Sequence, residues 1–534
     1  MIPRAVLSPT PRSAPITLLL CLAVTIAGGC VMVIELVGTR VLAPVFGSSL
    51  YVWTSQISVA LLSLTLGYPL GGWLADRYPR PTVFFAGNVA AGVAVLMSML
   101  LRGPVLHVAM NWEARIGIVA SSLALFTLPL MLMGMVGPFA ARLFIRDLTR
   151  IGVTIGKLSA LSAFGSIFGS FATGFLLIPH VSINTTLWTV AGVMIGMGLL
   201  GMIATGRSGA SAGTAAAAAA GVALCLWNPF RQPVALAEGA TILFEGSSAY
   251  GDIKVVDLPK ARLMYIGQMI QTIDSRENEL PEGHRTTLHD LAHFLPAYRP
   301  EGRRALLIGL AGGTKVKMLN AHGIRVDSVE IDPLVVEKAH EYFGIVENDM
   351  SRIIIADGRP YLNNCIERYD FVILDVFGGG VAPAHLFSAE ALAAIKRCLI
   401  PDGILMMNCL RVASNPNDRL VSDLLRTIDA SGLFKHRATY EWDPDAQESI
   451  RNYLTFASDA PLTFRKPLAE VAPAGILEEL TRKGREVIID LAGAQVITDD
   501  LNPLDVLQIG HNEGLRNFAL SPKNPLRALF DPYR

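Results

Sequence analysis

Three acidic residues follow hydrophobic segments in the second half of the sequence, behind a glycine-rich segment. The segment GLAGGT spans residues 309–314, and Glu330, Asp357 and Asp375 each end one of the next three hydrophobic segments. Glycines let a backbone approach a ligand closely, and a helix N-terminus after such a loop favours a polar or anionic group. A carboxylate at Glu330, 17 residues after Gly313, can accept hydrogen bonds from both hydroxyls of a ribose. The pattern therefore indicates an adenosine-type ligand.

The two later acids extend the predicted site. Asp357, followed by Gly358, can accept a hydrogen bond from an adenine amino group, and Asp375 ends the next strand. Each acid alone can also be a helix cap or a solvated turn residue, but three acids at three successive strand ends favour a common ligand. No Walker lysine motif and no metal-ligand spacing accompany them. A nucleoside with a positive sulfonium, stabilised by carboxylates, fits better than a dinucleotide, and we expect no metal.

The elements that position these residues alternate between strands and helices. Such alternation predicts an α/β Rossmann-like domain with a doubly wound parallel sheet, and the ligand is expected beyond the carboxyl ends of the strands. Shorter strands are predicted over 241–257 and 262–273, followed by a helix over 284–295. The predicted strands of the larger sheet are RALLIG (304–309), VDSVEID (326–332), RIIIAD (352–357), YDFVILD (369–375) and GILMMNC (403–409).

The N-terminal part of the sequence has a different composition. The formal net charge of the 534 residues is zero, but residues 1–230 hold 12 Lys/Arg and 4 Asp/Glu, and the remainder holds 33 and 41. The first part is too poor in charge for an ordinary soluble domain. Stretches of about 20 apolar residues span a bilayer as helices, so we predict an α-helical membrane bundle of six or seven spans. The six clear spans are 16–38, 50–74, 82–101, 116–140, 153–178 and 183–205, and a weaker seventh is 209–227.

Basic residues predict the orientation of this bundle. They gather before the first span, after the second and fourth, and at Arg207 after the sixth. The positive-inside rule places these ends in the cytoplasm. Six spans then leave the C-terminal part in the cytoplasm, whereas seven place it outside, and VALAEG at 234–239 resembles a signal-peptidase site. We expect a multi-pass protein of the inner membrane, in contact with the lipid bilayer, with a cytoplasmic C-terminal domain.

Two details of the membrane part also carry predictions. Glu35 and Arg40 lie in or near the end of the first span, where an ionisable side chain is either functional or snorkels to the interface. LGYPLGGWLADR at 66–77 resembles the loop motif of major facilitator transporters, and its small residues predict close helix packing. The predicted domains are the membrane part at 1–230, a small β-rich part at 231–283 and the α/β domain at 284–534.

Residues 244–410 resemble the spermidine synthase family, the polyamine aminopropyltransferases. The whole chain resembles bacterial proteins in which a multi-span membrane part is fused to such a domain, and ITDDLNPLD (497–505) is typical of that fused group. The resemblance implies a small β-domain followed by a domain of the S-adenosylmethionine-dependent methyltransferase fold. The segments that carry it are YIGQMIQT, LLIGLAGGT, VEIDPLVVEKAHEYF, IIIADGRPYL, YDFVILDVF and PAHLFSAEAL.

The resemblance also implies a donor and an acceptor. The donor is S-adenosylmethionine or its decarboxylated form, the acceptor is a polyamine or another amine, and methylthioadenosine is released. A homodimer is implied, and no nucleic-acid partner. By this resemblance Gln271 holds the donor's tail, Gly309, Gly312 and Gly313 line the donor, Glu330 binds ribose, Asp357 with Gly358 binds adenine, and Asp375 is the acid at the reacting centre.

Several departures from the family pattern fall on the acceptor side. The glycine loop carries no acid, Gly378 stands where a second acid is usual, and Gly267-Gln268 replaces an aspartate-glycine pair. The segment EGHRTTLHDLAH has no tyrosine, although His289 and Asp290 lie within it. The acids that could substitute from elsewhere in the fold are Glu441, Asp443, Asp445, Glu448, Asp499 and Asp500.

These departures leave three hypotheses open. The first is an aminopropyltransferase with an altered acceptor. The second is another use of the same donor, either methyl transfer or a lyase or cyclising reaction without an amine acceptor. The third is a transporter or sensor whose nucleoside-binding domain is regulatory. Loss of acceptor acids counts against the first, since a polycationic amine needs carboxylates, and the retained Asp375 counts against the third.

Overall fold

The structure is a computed structural model. The chain divides into two compact units, one that contains the N-terminal helices and one that extends over Val234–Asp531. Each unit is described by itself below. The residues described are 14–47, 49–145, 151–205, 208–230, 238–267, 269–275, 292–376, 382–412, 419–442, 450–472, 477, 480, 484–507 and 529.

The first unit is helical. Six helical segments in the described ranges are long and apolar enough to cross a membrane: Ala14–Phe46, Leu50–Arg77, Pro81–Ala109, Ala114–Phe144, Ile151–His180 and Ile183–Ala204. The weaker seventh stretch also forms a helix, but its apolar part, Ala212–Trp227, is shorter than the other six. The helices are α1 (Ala14–Phe46), α2 (Leu50–Arg77), α3 (Pro81–Ala109), α4 (Ala114–Gly134), α5 (Val136–Phe144), α6 (Ile151–Ala172), α7 (Ile178–His180), α8 (Ile183–Ala204) and α9 (Ser208–Trp227), with a π-helical turn at Thr173–Leu177 between α6 and α7.

Small residues bring these helices into close contact. A Cβ at Gly165 or Gly169 of α6 would collide with the backbone of α1, and a Cβ at Gly67 or Gly71 would collide with the backbone at Met131 or Met135. Such contacts between backbones are the usual way in which helices pack in lipid. The small residues of LGYPLGGWLADR therefore do pack closely against a neighbouring helix.

The charged residues that the structure describes in the first unit lie near helix ends or on partly exposed surface. Asp76 near the end of α2 accepts a hydrogen bond of 2.8 Å from Arg142 of α5. Glu35 and Arg40 both lie within α1, and both are partly exposed. The ion pair therefore joins the end of α2 to α5.

The second unit begins with a small antiparallel sheet. Its strands are β1 (Thr241–Ser247), β2 (Asp252–Asp257), β3 (Ala261–Ile266) and β4 (Met269–Ser275), paired in that order. The strands expected over 241–257 and 262–273 are therefore present. Met264 pairs with Thr272 and Tyr265 pairs with Ile270, so Gln271 is the extra residue of a β-bulge. A bulge re-aims the side chain that it carries.

The strands of the larger sheet are β5 (Arg304–Ile308), β6 (Arg325–Glu330), β7 (Ser351–Ile355), β8 (Tyr369–Leu374), β9 (Leu399–Val412), β10 (His436–Trp442), β11 (Ile450–Ser458) and β12 (Gly484–Glu486). These eight strands lie in the order β12-β10-β11-β9-β8-β5-β6-β7. The five neighbouring strands β9, β8, β5, β6 and β7 are parallel, and β10, β11 and β12 pair antiparallel.

Helices cover both faces of this sheet. Along β5, Leu306 and Ile308 belong to one apolar core, and Ala305 and Leu307 belong to the other. Burial on both faces explains why this strand is continuously hydrophobic rather than alternating. The helices are α10 (Phe294–Tyr298), α11 (Thr314–Ala321), α12 (Pro333–Phe343), α13 (Gly358–Asn363), α14 (Ala389–Cys398) and α15 (Leu420–Ser431), with a short helical turn at Leu504–Leu507.

The structure confirms the predicted architecture and corrects its details. The apolar helices precede an α/β methyltransferase-like domain, and all five predicted strands of the larger sheet are present. The sheet is mixed rather than purely parallel, because β10 and β11 form a hairpin that adds to β9. Most of the helix predicted over 284–295 lies outside the described residues, and α10 begins at Phe294.

Candidate active site

The glycine loop lies at the carboxyl end of β5 and leads into α11. Gly309 and Gly313 have φ values of 94° and 74°, a left-handed conformation that side chains disfavour. A Cβ at Gly309 would also collide with the backbone oxygen of Asp375. Ala311 has a φ of 47° although it is not glycine, so the loop carries some strain. The loop therefore brings its backbone directly against the end of β8.

Glu330 ends β6 beside this loop and is 8% exposed. One carboxylate oxygen accepts a hydrogen bond of 2.9 Å from the backbone N–H of Leu310, and the other accepts one of 3.1 Å from Asp332. Burial raises the pKa of Glu330, while the backbone N–H donors act in the opposite direction. An ionised Glu330 fixed in this way can accept the hydroxyls of a ribose at the loop.

Asp357 and Gly358 lie at the next strand end. The carboxylate of Asp357 caps α13, because it accepts a hydrogen bond of 2.9 Å from the backbone N–H of Arg359. Its side chain is 41% exposed, and His385 Nε2 lies 3.5 Å from one of its oxygens. Gly358 is buried, and a Cβ there would press on Ile308. Asp357 is thus a helix cap that also remains accessible to a ligand.

Asp375 follows β8 and lies between a lysine and an amide. Its Oδ2 contacts the ammonium of Lys315, and its Oδ1 accepts a hydrogen bond of 2.8 Å from Asn408. Lys315 is 4% exposed and Asp375 is 15% exposed. The backbone N–H of Asp375 donates to Ile308 of β5 at 3.0 Å. The acid at the centre of the predicted site is therefore held from two sides.

The small sheet contributes directly to the glycine loop. The backbone N–H of Gly312 donates a hydrogen bond of 2.7 Å to Thr272 Oγ1, and a Cβ at Gly312 would collide with that threonine. Gln271, on the bulge beside Thr272, is half-buried. Ser248, after β1, donates to the carboxylate of Asp332, which caps α12. Two contacts thus join the small sheet to the elements that position Glu330 and Gly312.

The late motif ITDDLNPLD also lies beside these elements. Asp499 pairs with Arg359 at 2.6 Å and accepts a hydrogen bond from Ser388, and the Asn502 amide donates to Ala384 at 2.8 Å. Ser388 and Ala384 belong to the segment PAHLFSAEAL. The motif therefore fixes that segment beside Asp357. Because the Arg359 guanidinium and the Ser388 hydroxyl both contact it, the pKa of Asp499 is held below its usual value, although partial burial acts the other way.

Sequence reasoning did not identify Lys315 or Asn408. Lys315 directly follows GLAGGT, and Asn408 lies at the end of GILMMNC, the strand next to Asp375. Both positions could have been recognised from the sequence as places of ligand contact. Ligands meet such sheets at the first turn after a glycine loop and at the carboxyl ends of the neighbouring parallel strands. A lysine or an asparagine at these positions indicates no specific role until its contact with Asp375 is known.

Among the proposed substitute acids, Glu441 has structural partners. It lies on β10, and one of its oxygens accepts hydrogen bonds from Arg451 at 2.7 Å and Tyr453 at 2.9 Å. Strands β9 and β11 separate β10 from β8. Glu441 therefore does not reach the site around Asp375, and Asp499 is engaged with Arg359. Residues Gln268, His289, Asp290, Gly378, Asp443, Asp445 and Glu448 lie outside the described residues.

The geometry defines the class of this domain. A glycine loop after β5, a buried carboxylate after β6 and an acid after β8 meet at one edge of the sheet. This is the arrangement of an α/β domain of the methyltransferase fold. In the part of the chain that the structure describes, no group of three or more His, Cys, Asp or Glu is placed to hold a metal ion.

Comparison with known proteins identifies the family of this domain. The family model described as spermine/spermidine synthase domain matches residues 286–442, so the C-terminal half of the chain contains such a domain. The N-terminal helical region fits the fused form of the family.

Similar proteins include transferases of two kinds. The N-terminal histidine N-methyltransferase of Emericella nidulans is 33% identical over 189 residues, 34% of this chain and 33% of that protein. The polyamine aminopropyltransferase of Vibrio vulnificus is 31% identical over 183 residues, 32% of this chain and 59% of that protein. The chain thus spans between one third and about 60% of the length of these relatives. A probable spermidine synthase from Corynebacterium glutamicum aligns with a TM-score of 0.39 and 19% identity, covering 50% of this chain and 97% of that one.

Proposed function

We propose that the C-terminal half is a transferase that uses an adenosyl sulfonium, S-adenosylmethionine or its decarboxylated form, as donor. The observation that carries this proposal is the contact between the glycine loop and its two carboxylates: Glu330 bonds the loop at Leu310, and Gly309 packs on Asp375. The carboxylate of Glu330 suits a ribose. The carboxylate of Asp375 lies where the reacting group attached to that nucleoside would be. Glycines in this loop let its backbone approach a ligand closely, and ligands of such sheets bind beyond the carboxyl ends of the strands.

The proposed chemistry is a direct displacement at a carbon bonded to the sulfonium. The lone pair of the nucleophile forms the new bond to that carbon, and the electrons of the breaking carbon–sulfur bond neutralise the sulfur. Asp375 accepts the proton that the nucleophile loses. Positioning and a general base are the contributions that this site can make. With an amine acceptor and the decarboxylated donor, the products are an aminopropylated amine and methylthioadenosine.

Methyl transfer is the second candidate, and Lys315 favours it. Its ammonium contacts Asp375, so a polycationic amine that approaches the acid also meets a like charge, which is unfavourable in a buried site. A neutral nucleophile does not have this cost. The similarity to a histidine N-methyltransferase over 189 residues is in line with this candidate, and the leaving nucleoside is then S-adenosylhomocysteine.

Product identification tests both candidates. The full chain, purified in detergent or nanodiscs, is incubated with each donor, with and without putrescine, and the products are identified by mass spectrometry. Aminopropylated putrescine supports the first candidate, and S-adenosylhomocysteine formed with a cell-extract acceptor supports the second. Methylthioadenosine formed without any amine indicates a lyase or cyclising reaction instead. No product from either donor contradicts the proposed transferase and favours a regulatory nucleoside-binding domain.

We further infer that the helical unit anchors this domain at the cytoplasmic face of the inner membrane. The net charge of +8 over residues 1–230 and its position at alternate helix ends support this orientation. Ile366 is 92% exposed, so an Ile366→Cys variant in a Cys365→Ser background offers a suitable label site. An impermeant maleimide should label it only after the cells are permeabilised. Labelling in intact cells would place the domain outside.

A further inference from the structure

A second side chain lies beside the carboxylate of Asp357. Oδ1 of Asp357 accepts the capping hydrogen bond from the backbone N–H of Arg359, and His385 Nε2 lies 3.5 Å from the same oxygen. No described residue donates a hydrogen bond to Oδ2. The Asp357 and His385 side chains are 41% and 51% exposed. One carboxylate oxygen and one imidazole ring are therefore accessible to a ligand at this strand end.

The imidazole of His385 can donate a hydrogen bond to such a ligand. Its Nε2 is too far from Asp357 for a strong hydrogen bond, and no described residue is hydrogen-bonded to the ring. A carboxylate can only accept, so the nearby oxygen favours a proton on the nitrogen that faces it. Oδ2 of Asp357 and Nε2 of His385 are thus a hydrogen-bond acceptor and a hydrogen-bond donor side by side.

An ion pair fixes the backbone that carries His385. The Arg359 guanidinium donates to the backbone oxygen of His385 and to both carboxylate oxygens of Asp499. Asp499 also accepts a hydrogen bond from Ser388, and the Arg359 side chain is 15% exposed. Paired contacts between a guanidinium and a carboxylate hold a defined geometry. Because Arg359 is two residues after Asp357, one side chain connects the acceptor, the donor and the motif ITDDLNPLD.

A neighbouring acceptor and donor are complementary to an adenine ring. The 6-amino group of adenine donates hydrogen bonds, and the ring nitrogens N1 and N7 on either side of it accept them. An amino group bonded to Oδ2 of Asp357 brings one of these nitrogens to the side of the carboxylate, where His385 lies. A base without these groups leaves the acceptor and the donor unpaired, which is unfavourable.

We propose that His385 is a second base-binding residue, which donates a hydrogen bond to N1 or N7 of adenine, and that Asp499 is the positioning residue that holds it there through Arg359. The inference rests on the proposed function, because it takes the ligand to be an adenosyl compound. It goes further in assigning recognition of the base to His385 as well as Asp357. It also gives the motif ITDDLNPLD a role in ligand binding.

Nucleosides that lack one ring nitrogen test this hydrogen bond. Calorimetry on the full chain compares methylthioadenosine with its 1-deaza and 7-deaza analogues, in which N1 or N7 is replaced by C–H. In the wild type at least one analogue should bind about three- to tenfold more weakly, the scale of one hydrogen bond. His385→Leu should bind methylthioadenosine more weakly by a similar factor and should no longer discriminate against that analogue. His385→Gln retains an N–H donor and should keep part of the discrimination.

Two substitutions in the motif ITDDLNPLD test the positioning role. Asp499→Ala removes the carboxylate that Arg359 contacts and should reduce the discrimination that His385 provides. Asp500→Ala changes the adjacent exposed acid and should keep this discrimination. Each variant is read as a ratio of affinities, so a general loss of stability does not imitate the result.

The outcomes separate the two roles from the proposed function. Equal binding of all three nucleosides by the wild type, or an unchanged discrimination in His385→Leu, overturns the role of His385. An unchanged discrimination in Asp499→Ala overturns the positioning role. Failure of methylthioadenosine itself to bind overturns the proposed function, and this inference with it.

Discussion

Asn408 donates a hydrogen bond of 2.8 Å from its side-chain amide to Oδ1 of Asp375. Asn408 lies on β9, and Asp375 directly follows the neighbouring strand β8. Lys315 occupies the other oxygen. The carboxylate thus has a fixed orientation before any ligand binds, which is the condition for a group that must accept a proton at a defined place.

Replacing Asp375 by asparagine should stop the reaction but leave nucleoside binding largely unchanged. The amide has nearly the same shape but cannot accept a proton, so turnover should fall by about 10²–10⁴-fold, the usual contribution of a general base. Methylthioadenosine affinity, measured by calorimetry, should remain within a few-fold of the wild type. Because the substitution removes the charge that contacts Lys315, thermal unfolding is measured alongside. Unchanged turnover in a folded variant would remove Asp375 from the mechanism.

Gly309 should tolerate alanine less well than another glycine of similar conformation. Gly309 and Gly323 have φ values of 94° and 70°, but only Gly309 has a neighbouring atom, the Asp375 carbonyl, where a Cβ would lie. Gly323→Ala should cost about 1–2 kcal/mol from backbone strain alone, and Gly309→Ala about 1–3 kcal/mol more because of the collision. Thermal unfolding of the two variants gives the comparison. Equal losses would mean that the loop does not press on the end of β8.

Nucleoside affinity should decrease at low pH because of Glu330. Burial raises the pKa of this carboxyl above its ordinary value. Only the ionised form can accept two ribose hydroxyls, so affinity is full above the raised pKa and declines as the pH falls through it. Calorimetric titration with methylthioadenosine from pH 7.5 downwards should show this decline. Glu330→Gln should bind about tenfold more weakly at neutral pH and with little pH dependence; a wild-type profile retained by this variant would assign the titration to another group.

His293 should destabilise the second unit in mild acid. Burial, and secondarily the nearby His322, lower the pKa of His293 to about 4, and the two rings are joined at 2.9 Å. Between its ordinary pKa near 6.5 and about 4, the unfolded chain binds a proton that the folded chain does not, so stability falls as the pH decreases. Between pH 6.5 and 5 this loss should be about 1–2 kcal/mol. His293→Gln should show a smaller loss over the same interval, and an equal loss would contradict the assignment.

The cluster of Gly309, Glu330 and Asp375 could be predicted from the sequence because its signals are local. A glycine loop and acids at strand ends are readable within each βα unit, and parallel strands bring their carboxyl ends to one edge. Gly309, Glu330 and Asp375 therefore lie near one another as expected. Gly312 and Thr272 also meet, but their contact depends on how the small sheet packs on the loop, and no local pattern indicates that packing.

The pairing of Lys315 with Asp375 could not be predicted because it depends on a contact distant in sequence. Lys315 and Asp375 are 60 residues apart, and the long stem of a lysine does not reveal which carboxylate its ammonium will reach. Glu441 was proposed as a substitute acid, but the β10–β11 hairpin pairs it with Arg451 and Tyr453 instead. The hairpin itself was not predicted, since strands that follow a βα pattern are expected to be parallel.

Binding of an adenosyl sulfonium at this edge of the sheet can be measured by calorimetric titration of the purified full chain with S-adenosylmethionine, with adenosine monophosphate as the comparison ligand. We expect saturable one-site binding of S-adenosylmethionine that Glu330→Gln weakens about tenfold, and much weaker binding of the phosphate-bearing nucleotide. Absence of binding by S-adenosylmethionine, its decarboxylated form and methylthioadenosine alike would contradict it.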